Sequence, residues 1–195
     1  MEIGSGTVLR ATLATLIVLS IAGCSAFSSK APLPRPDYVD LERFMGPWHI
    51  LGFIPLFPER NAHNGIERYQ LNDEGEVETI YRFRNDGFDG PLKTYRPKAT
   101  VVDGSGNSHW KMQFIWPFKA NYKIAYVDAD YSVAIVARDQ RDYVWLLARD
   151  PELPEERYQA LLKRIAAMGY DLEQFKRHPQ RWPEPQARPV LSEAR

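Results

Sequence analysis

"MGPWHILGF", residues 45–53, sets a glycine, a proline, a tryptophan and a histidine just ahead of an apolar, strand-like run. A tryptophan at the entrance to a strand is a large apolar plate that needs something to pack on. The strand it opens is "WHILGFI" (48–54), and seven more runs share its character. They are "GIERYQL" (65–71), "VETIYRFRN" (77–85), "KTYRPKATVV" (93–102), "HWKMQFIW" (109–116), "NYKIAYVD" (121–128), "YSVAIVAR" (131–138) and "YVWLLAR" (143–149). Turn-forming segments such as "NDEGE", "DGFDG", "DGSGN", "DAD" and "DQRD" separate them. Alternation of period two implies one buried and one wet face. With no helix between them, the runs predict an all-β fold: an eight-stranded antiparallel up-and-down barrel, whose closure removes exposed edges. A barrel of that size is filled by side chains or holds one small ligand.

One helix follows the strands. Pro154 stands at its start, and Glu155 and Glu156 occupy a first turn where the helix dipole favours negative charge. Tyr158, Leu161, Leu162, Ile165 and Met168 share one face, and Gly169 supplies the stop. The pattern predicts a single C-terminal α-helix packed outside the barrel. Asp171, Leu172 and Phe175 then suggest one more turn or an edge strand.

Of 195 residues, 25 are Lys or Arg and 25 are Asp or Glu. The balance speaks against nucleic acid, whose phosphates call for clustered cations, and against a polybasic membrane surface. The first 23 residues read as a lipoprotein signal peptide: Arg10, the short apolar stretch "ATLATLIVLSIAG" (11–23), then Cys24, the lone cysteine. The "IAGC" ending resembles a bacterial lipobox. That resemblance implies cleavage before Cys24, lipidation of its sulfur, and acylation (palmitate-type) of its new amino group. Several acyl chains anchor stably where one is marginal. In the enterobacterial lipoproteins it resembles, an Asp after the Cys favours inner-membrane retention, so by that resemblance Ser25 implies the outer membrane. Residues 24–37 read as lipidated Cys and flexible tether, 38–180 as the domain, and 181–195 as a Pro-rich disordered tail.

Eight strands and then a helix resemble the lipocalin family. Gly46 and Trp48 match that family's G-x-W block at the first strand. Asp130 and Tyr131 match its T-D-Y block, with Ala129 where Thr is usual, and Arg149 matches the third block. The resemblance answers the opening question: Trp48 would plug the barrel floor and Arg149 would cover the indole, both in structural roles. "RDYVWLLARDP" (141–151) and "WPFKANYKIAYVD" (116–128) resemble the bacterial lipoprotein branch, akin to apolipoprotein D. The family implies a small hydrophobic ligand, and this branch fatty acids or lysophospholipids.

Strand parity nominates the lining. Met112, Phe114 and Trp116 share a face with Trp110; Tyr122 and Tyr126 share one with Ile124; Tyr143 and Trp145 share one with Leu147. Phe53 and Phe57 stand where the first strand meets its loop, over the mouth. Aromatics around an apolar slot suit an acyl chain, although the same residues would equally fill a closed core. One bulge inverts parity, and Pro97 and Pro117 are where one is expected. Arg82, Arg84, Lys93, Arg96 and Lys119 read as a solvated outer face, with a headgroup site at the mouth as the alternative.

No cofactor, metal or catalytic set is expected. The chain lacks a G-x-S-x-G elbow, H-E-x-x-H and C-x-x-C. The rival reading is a lipid-processing envelope enzyme, to be tested by turnover lost on changing His49 or His63; were those two histidines to meet in space, they could instead ligate haem or a metal. The partners expected are one small hydrophobic ligand, the membrane through Cys24 and, as an open alternative, a second copy in a homodimer.

Overall fold

A computed structural model describes residues 31–184. The signal segment, Cys24 and the tail beyond Glu184 lie outside the described residues. The elements below belong to the compact unit that begins at Pro32. They are α1 (Leu41–Phe44), β1 (Gly46–Ile54), a 3-10 turn (Phe57–Glu59), β2 (Ala62–Leu71), β3 (Val77–Asn85), β4 (Leu92–Tyr95) and β5 (Lys98–Val101). There follow β6 (His109–Ile115), β7 (Phe118–Val127), β8 (Val133–Ala137), β9 (Val144–Ala148), α2 (Glu155–Ala167) and β10 (Lys176–Arg177).

Neighbouring strands pair antiparallel in the order β1-β2-β3-β5-β6-β7-β8-β9, and β9 pairs back to β1. The result is a closed eight-walled barrel with one C-terminal helix outside. The fourth wall is broken into β4 and β5 at Arg96 and Pro97, because proline has no N–H for the ladder. Its register still runs on from Tyr81↔Tyr95 to Val77↔Ala99, and the Thr79 N–H donates to the Pro97 carbonyl at 3.0 Å. The strand foreseen after Asp171 is β10, which pairs with β1 at Gly52 and Phe53, above the point where β1 leaves β2.

Two apolar clusters hold the fold. Trp48, Ile50, Phe53, Tyr69, Tyr81, Phe83, Trp110, Met112, Tyr122, Trp145 and Leu147 form the inner one. The outer one joins the backs of β8 and β9, through Ile135, Val144 and Leu146, to Tyr158, Leu161, Ile165 and Met168 of α2. Burial of a large apolar side chain is worth about 1.5–3 kcal/mol, so both clusters matter. Gly52 permits the outer contact. A Cβ there would lie 2.5 Å from the Phe175 ring and 2.8 Å from the Tyr158 hydroxyl.

Parity breaks elsewhere than at Pro97 or Pro117. The register shifts between Ile50 and Gly52 in β1, His63 and Ile66 in β2, Met112 and Ile115 in β6, and Ile124 and Tyr126 in β7. After the β1 bulge the inward residue is Phe53 rather than an even-numbered one.

Both termini of the described chain pack further than composition suggests. Leu33, within the stretch read as tether, is buried in the outer cluster, and its N–H donates to Asp139 at 3.4 Å. From there the chain descends the barrel, with Arg35 donating to Ser108 and the Val39 N–H to the Gly106 carbonyl. At the other end, Trp182 stacks edge-on to His49 at 4.9 Å, and Glu184 receives Arg82 at 3.2 Å and Arg84 at 2.8 Å. That pair of arginines lies on the outer wall.

Candidate functional site

The barrel has a sealed end and an open end. At the sealed end, α1 lies across the floor and the Trp48 indole N–H donates to the Phe44 carbonyl at 2.8 Å. Arg149 lies over the indole, 3.7 Å from the ring centroid. Its guanidinium donates to the carbonyls of Arg43, Pro47 and Met45 at 2.7–2.8 Å. Burial pushes its pKa down to about 10, so it remains charged at neutral pH. Gly46 lies at φ +93°, a region that favours glycine, with Arg149 3.4 Å from where a Cβ would be. The β7–β8 turn completes this end: Tyr131 accepts from the Asp40 N–H at 2.8 Å. The carboxylate that holds the turn is Asp128, which accepts from the N–H groups of Ser132 and Val133, whereas Asp130 is exposed.

The interior above the floor carries Phe53, Met112, Tyr122 and Trp145 from the expected lining, all buried. Tyr122 stacks between Trp110 (5.5 Å) and Trp145 (6.3 Å). Tyr143 is half-buried at the edge of this cluster, 6.3 Å from Trp145. Tyr126 is a correction. The β7 bulge at Ala125 turns its ring outward, where Arg164 of α2 lies over it at 4.1 Å. Phe57, Phe114 and Trp116 stand at the mouth, 77%, 47% and 82% exposed, rather than inside. With Leu92, Ile115 and Phe118 they make the open end an apolar rim.

Sequence reading missed the interior's polar groups. Glu67 on β2 is 8% exposed and accepts hydrogen bonds from the hydroxyls of Tyr69 and Tyr122, the latter at 3.2 Å. Glu59, on the 3-10 turn, is 5% exposed and accepts from the Trp145 indole N–H at 3.3 Å. Burial raises the Glu59 carboxyl to about 8, with the charge of Glu67 adding to it, and raises Glu67 to about 7. The Tyr81 hydroxyl and the Thr79 hydroxyl are buried without a hydrogen-bond partner among the described residues. The one available signal was the Glu67-x-Tyr69 parity, since Tyr69 is aromatic and inward; a charged residue is assigned outward by default.

His49 and His63 are not brought together. His49 faces Trp182, and His63 packs on Phe88 at 4.9 Å. No group of three metal-ligating side chains occurs among the described residues. A recess of about 430 Å³ lies on the outer surface, between α2 and the C-terminal segment, bordered by Leu51, Tyr158, Arg177 and His178.

The barrel is closed and antiparallel, sealed at one end by an arginine-covered tryptophan and rimmed at the other by exposed apolar side chains. The family model described as a lipocalin-like domain matches residues 39–180, and the chain belongs to the lipocalin family. It is 27% identical over 171 residues to the outer membrane lipoprotein Blc of Escherichia coli, covering 86% of this chain and 92% of that one. It is 28% identical over 150 residues to temperature-induced lipocalin-1 of Arabidopsis thaliana (73% and 80% covered). Mouse apolipoprotein D is 25% identical over 174 residues (85% and 89%). Among solved structures, insecticyanin from the tobacco hornworm Manduca sexta superposes with a TM-score of 0.60 at 17% identity, over 79% of this chain and 87% of that one. That likeness shows the shared fold.

Proposed function

We propose that this lipocalin is a lipid-anchored carrier of the bacterial outer membrane. It takes one single-chain lipid, of the fatty acid or lysophospholipid type, into its barrel from the mouth. The observation that carries the reading is the asymmetry of the barrel's ends: a floor sealed by Trp48 and Arg149, and a rim of exposed Phe57, Phe114, Ile115, Trp116 and Phe118. Contiguous exposed apolar surface marks a place of binding. Each methylene moved from water to an apolar interior contributes about 0.8 kcal/mol, reduced by the ligand's lost motion.

The envelope address rests on Cys24 with its lipobox-like context and on the relatives named outer membrane lipoproteins. Leu33 packs beside Asp139, in the β8–β9 loop at the mouth end. The chain leading from Cys24 therefore joins the domain at the end where ligand would enter. Joint haem or metal ligation by His49 and His63 is disfavoured because the two imidazoles stack on separate rings.

The test is a titration of the delipidated mature chain carrying Cys24→Ser, which retains every described residue. Tryptophan fluorescence should saturate near one lipid per chain without turnover, and mass spectrometry of the undelipidated protein should show a single-chain lipid. A folded protein that binds none of the lipids overturns the carrier reading. Loss of palmitate labelling in Cys24→Ser cells would support the anchor; labelling that persists would remove it.

A further inference from the structure

The 3-10 turn at the mouth places its side chains against expectation. Phe57 is 77% exposed, while Glu59, two residues on, is 5% exposed and turned into the barrel. A carboxyl that could have stayed in water lies among aromatic rings. Glu67 does the same from β2, across from Trp48 and Tyr81.

Among the described residues, no cation pairs with either carboxyl. What favours their charged forms is hydrogen bonding alone: from Trp145 and a backbone N–H for Glu59, from Tyr69 and Tyr122 for Glu67. Arg149 lies below the floor, bound to carbonyls. The His178 imidazole packs on the Phe53 ring at 4.9 Å, and burial pushes its pKa down to about 4. The Tyr81 hydroxyl, buried and without a partner among the described residues, feels the charge of both carboxyls. The Tyr81 ring stacks on Tyr95 at 6.2 Å, and Tyr95 stacks in turn on Phe83 at 6.1 Å.

Two acceptor carboxyls, an unpaired hydroxyl and a set of ring faces are complementary to a positively charged donor on an apolar body. They oppose a carboxylate, whose charge would disfavour ionisation of both carboxyls in the same low-dielectric space. We propose that the barrel selects single-chain amphiphiles bearing an ammonium group, held between Glu59, Glu67 and the Tyr81 hydroxyl, and disfavours free fatty carboxylates. This rests on the carrier reading and narrows it. The ammonium has two sources: a long-chain amine, or the ethanolamine head of a lysophospholipid.

The experiment is calorimetric titration, at pH 8 and below micelle-forming concentrations, of the delipidated mature chain with five ligands of one chain length. They are tetradecylamine, tetradecanol, myristate, and myristoyl lysophosphatidylethanolamine and lysophosphatidylglycerol. The expected result is amine at least about tenfold tighter than alcohol, and alcohol tighter than myristate. Preference for the ethanolamine over the glycerol lysolipid would assign the phospholipid source; preference confined to tetradecylamine would assign the simple amine. Glu59→Gln and Tyr81→Phe should each reduce the amine-to-alcohol affinity ratio. Glu67→Gln should do so too, and if that variant fails to fold, the other two and the wild-type ranking decide. Equal binding of amine and alcohol, tighter binding of myristate, or a ratio unmoved in both Glu59→Gln and Tyr81→Phe overturns the ammonium assignment and leaves the carrier standing. Failure of all five ligands overturns both.

Discussion

Arg149 lies 3.7 Å above the Trp48 ring centroid and binds the carbonyls of the chain that leads into β1. The last barrel strand thus locks the first, at the end where the chain enters. A cation over indole contributes about 0.5–2 kcal/mol, and hydrogen bonds to a charged donor about 1.5–3 kcal/mol. Arg149→Lys keeps the charge but loses the planar fork. It should lower stability by about 1–3 kcal/mol and alter the near-ultraviolet circular dichroism of Trp48, read by urea denaturation; an unchanged midpoint would remove the lock.

The buried carboxyls make stability depend on pH. Glu59 and Glu67 ionise near 4.5 when unfolded, but near 8 and 7 in the fold. Across that window the folded state holds more protons than the unfolded one, so stability falls as pH rises. His178, pushed down to about 4 from 6.5 by burial, acts in the opposite sense below pH 6.5. The range from about 6.5 to 8 therefore isolates the carboxyls. Thermal melts of the wild type should decline across it, and Glu59→Gln should flatten the decline; equal slopes in both proteins would contradict this.

Gly52 is where α2 and the segment after it come closest to the barrel. Gly52→Ala would set a methyl 2.5 Å from the Phe175 ring. Overpacking of this kind costs about 1–3 kcal/mol. Phe175→Leu in the same chain should recover part of the loss, which a double-mutant cycle would measure as coupling.

Tyr126 and Trp145 separate the two faces of the wall. Tyr126→Ala removes a ring from beneath Arg164 and should cost about 1 kcal/mol of stability with ligand affinity unchanged. Trp145→Ala removes an inward ring and the donor to Glu59, and should weaken binding of single-chain lipid. Equal effects on affinity would mean that the β7 bulge does not set the lining.

Trp116, at 82% exposure, holds nothing in the fold. Trp116→Ser should leave stability within about 0.5 kcal/mol. If the rim is the path of entry, the same change should slow transfer of lipid from vesicles into the barrel, followed by stopped-flow fluorescence. A transfer rate equal to the wild type would place the path elsewhere.

Much of this was written in the sequence. Alternation of period two marked the strands, turn residues marked their ends, and Gly46, Trp48, Tyr131 and Arg149 fixed which barrel they build. These are local signals, carried by neighbours in the chain. What faces inward is different in kind. A single extra residue at Leu51 or Ala125 inverts every side chain beyond it, and nothing in "WHILGFI" or "NYKIAYVD" announces the insertion. The turn that sends Glu59 in and Phe57 out likewise depends on where Trp145, from the last strand of the barrel, presents its N–H. Hydrophobicity assigns a carboxyl to water; the β2–β3 register set Glu67 beside Tyr81, and closure of β9 on β1 brought Trp145 to Glu59, because such pairings are decided by register and not by sequence proximity.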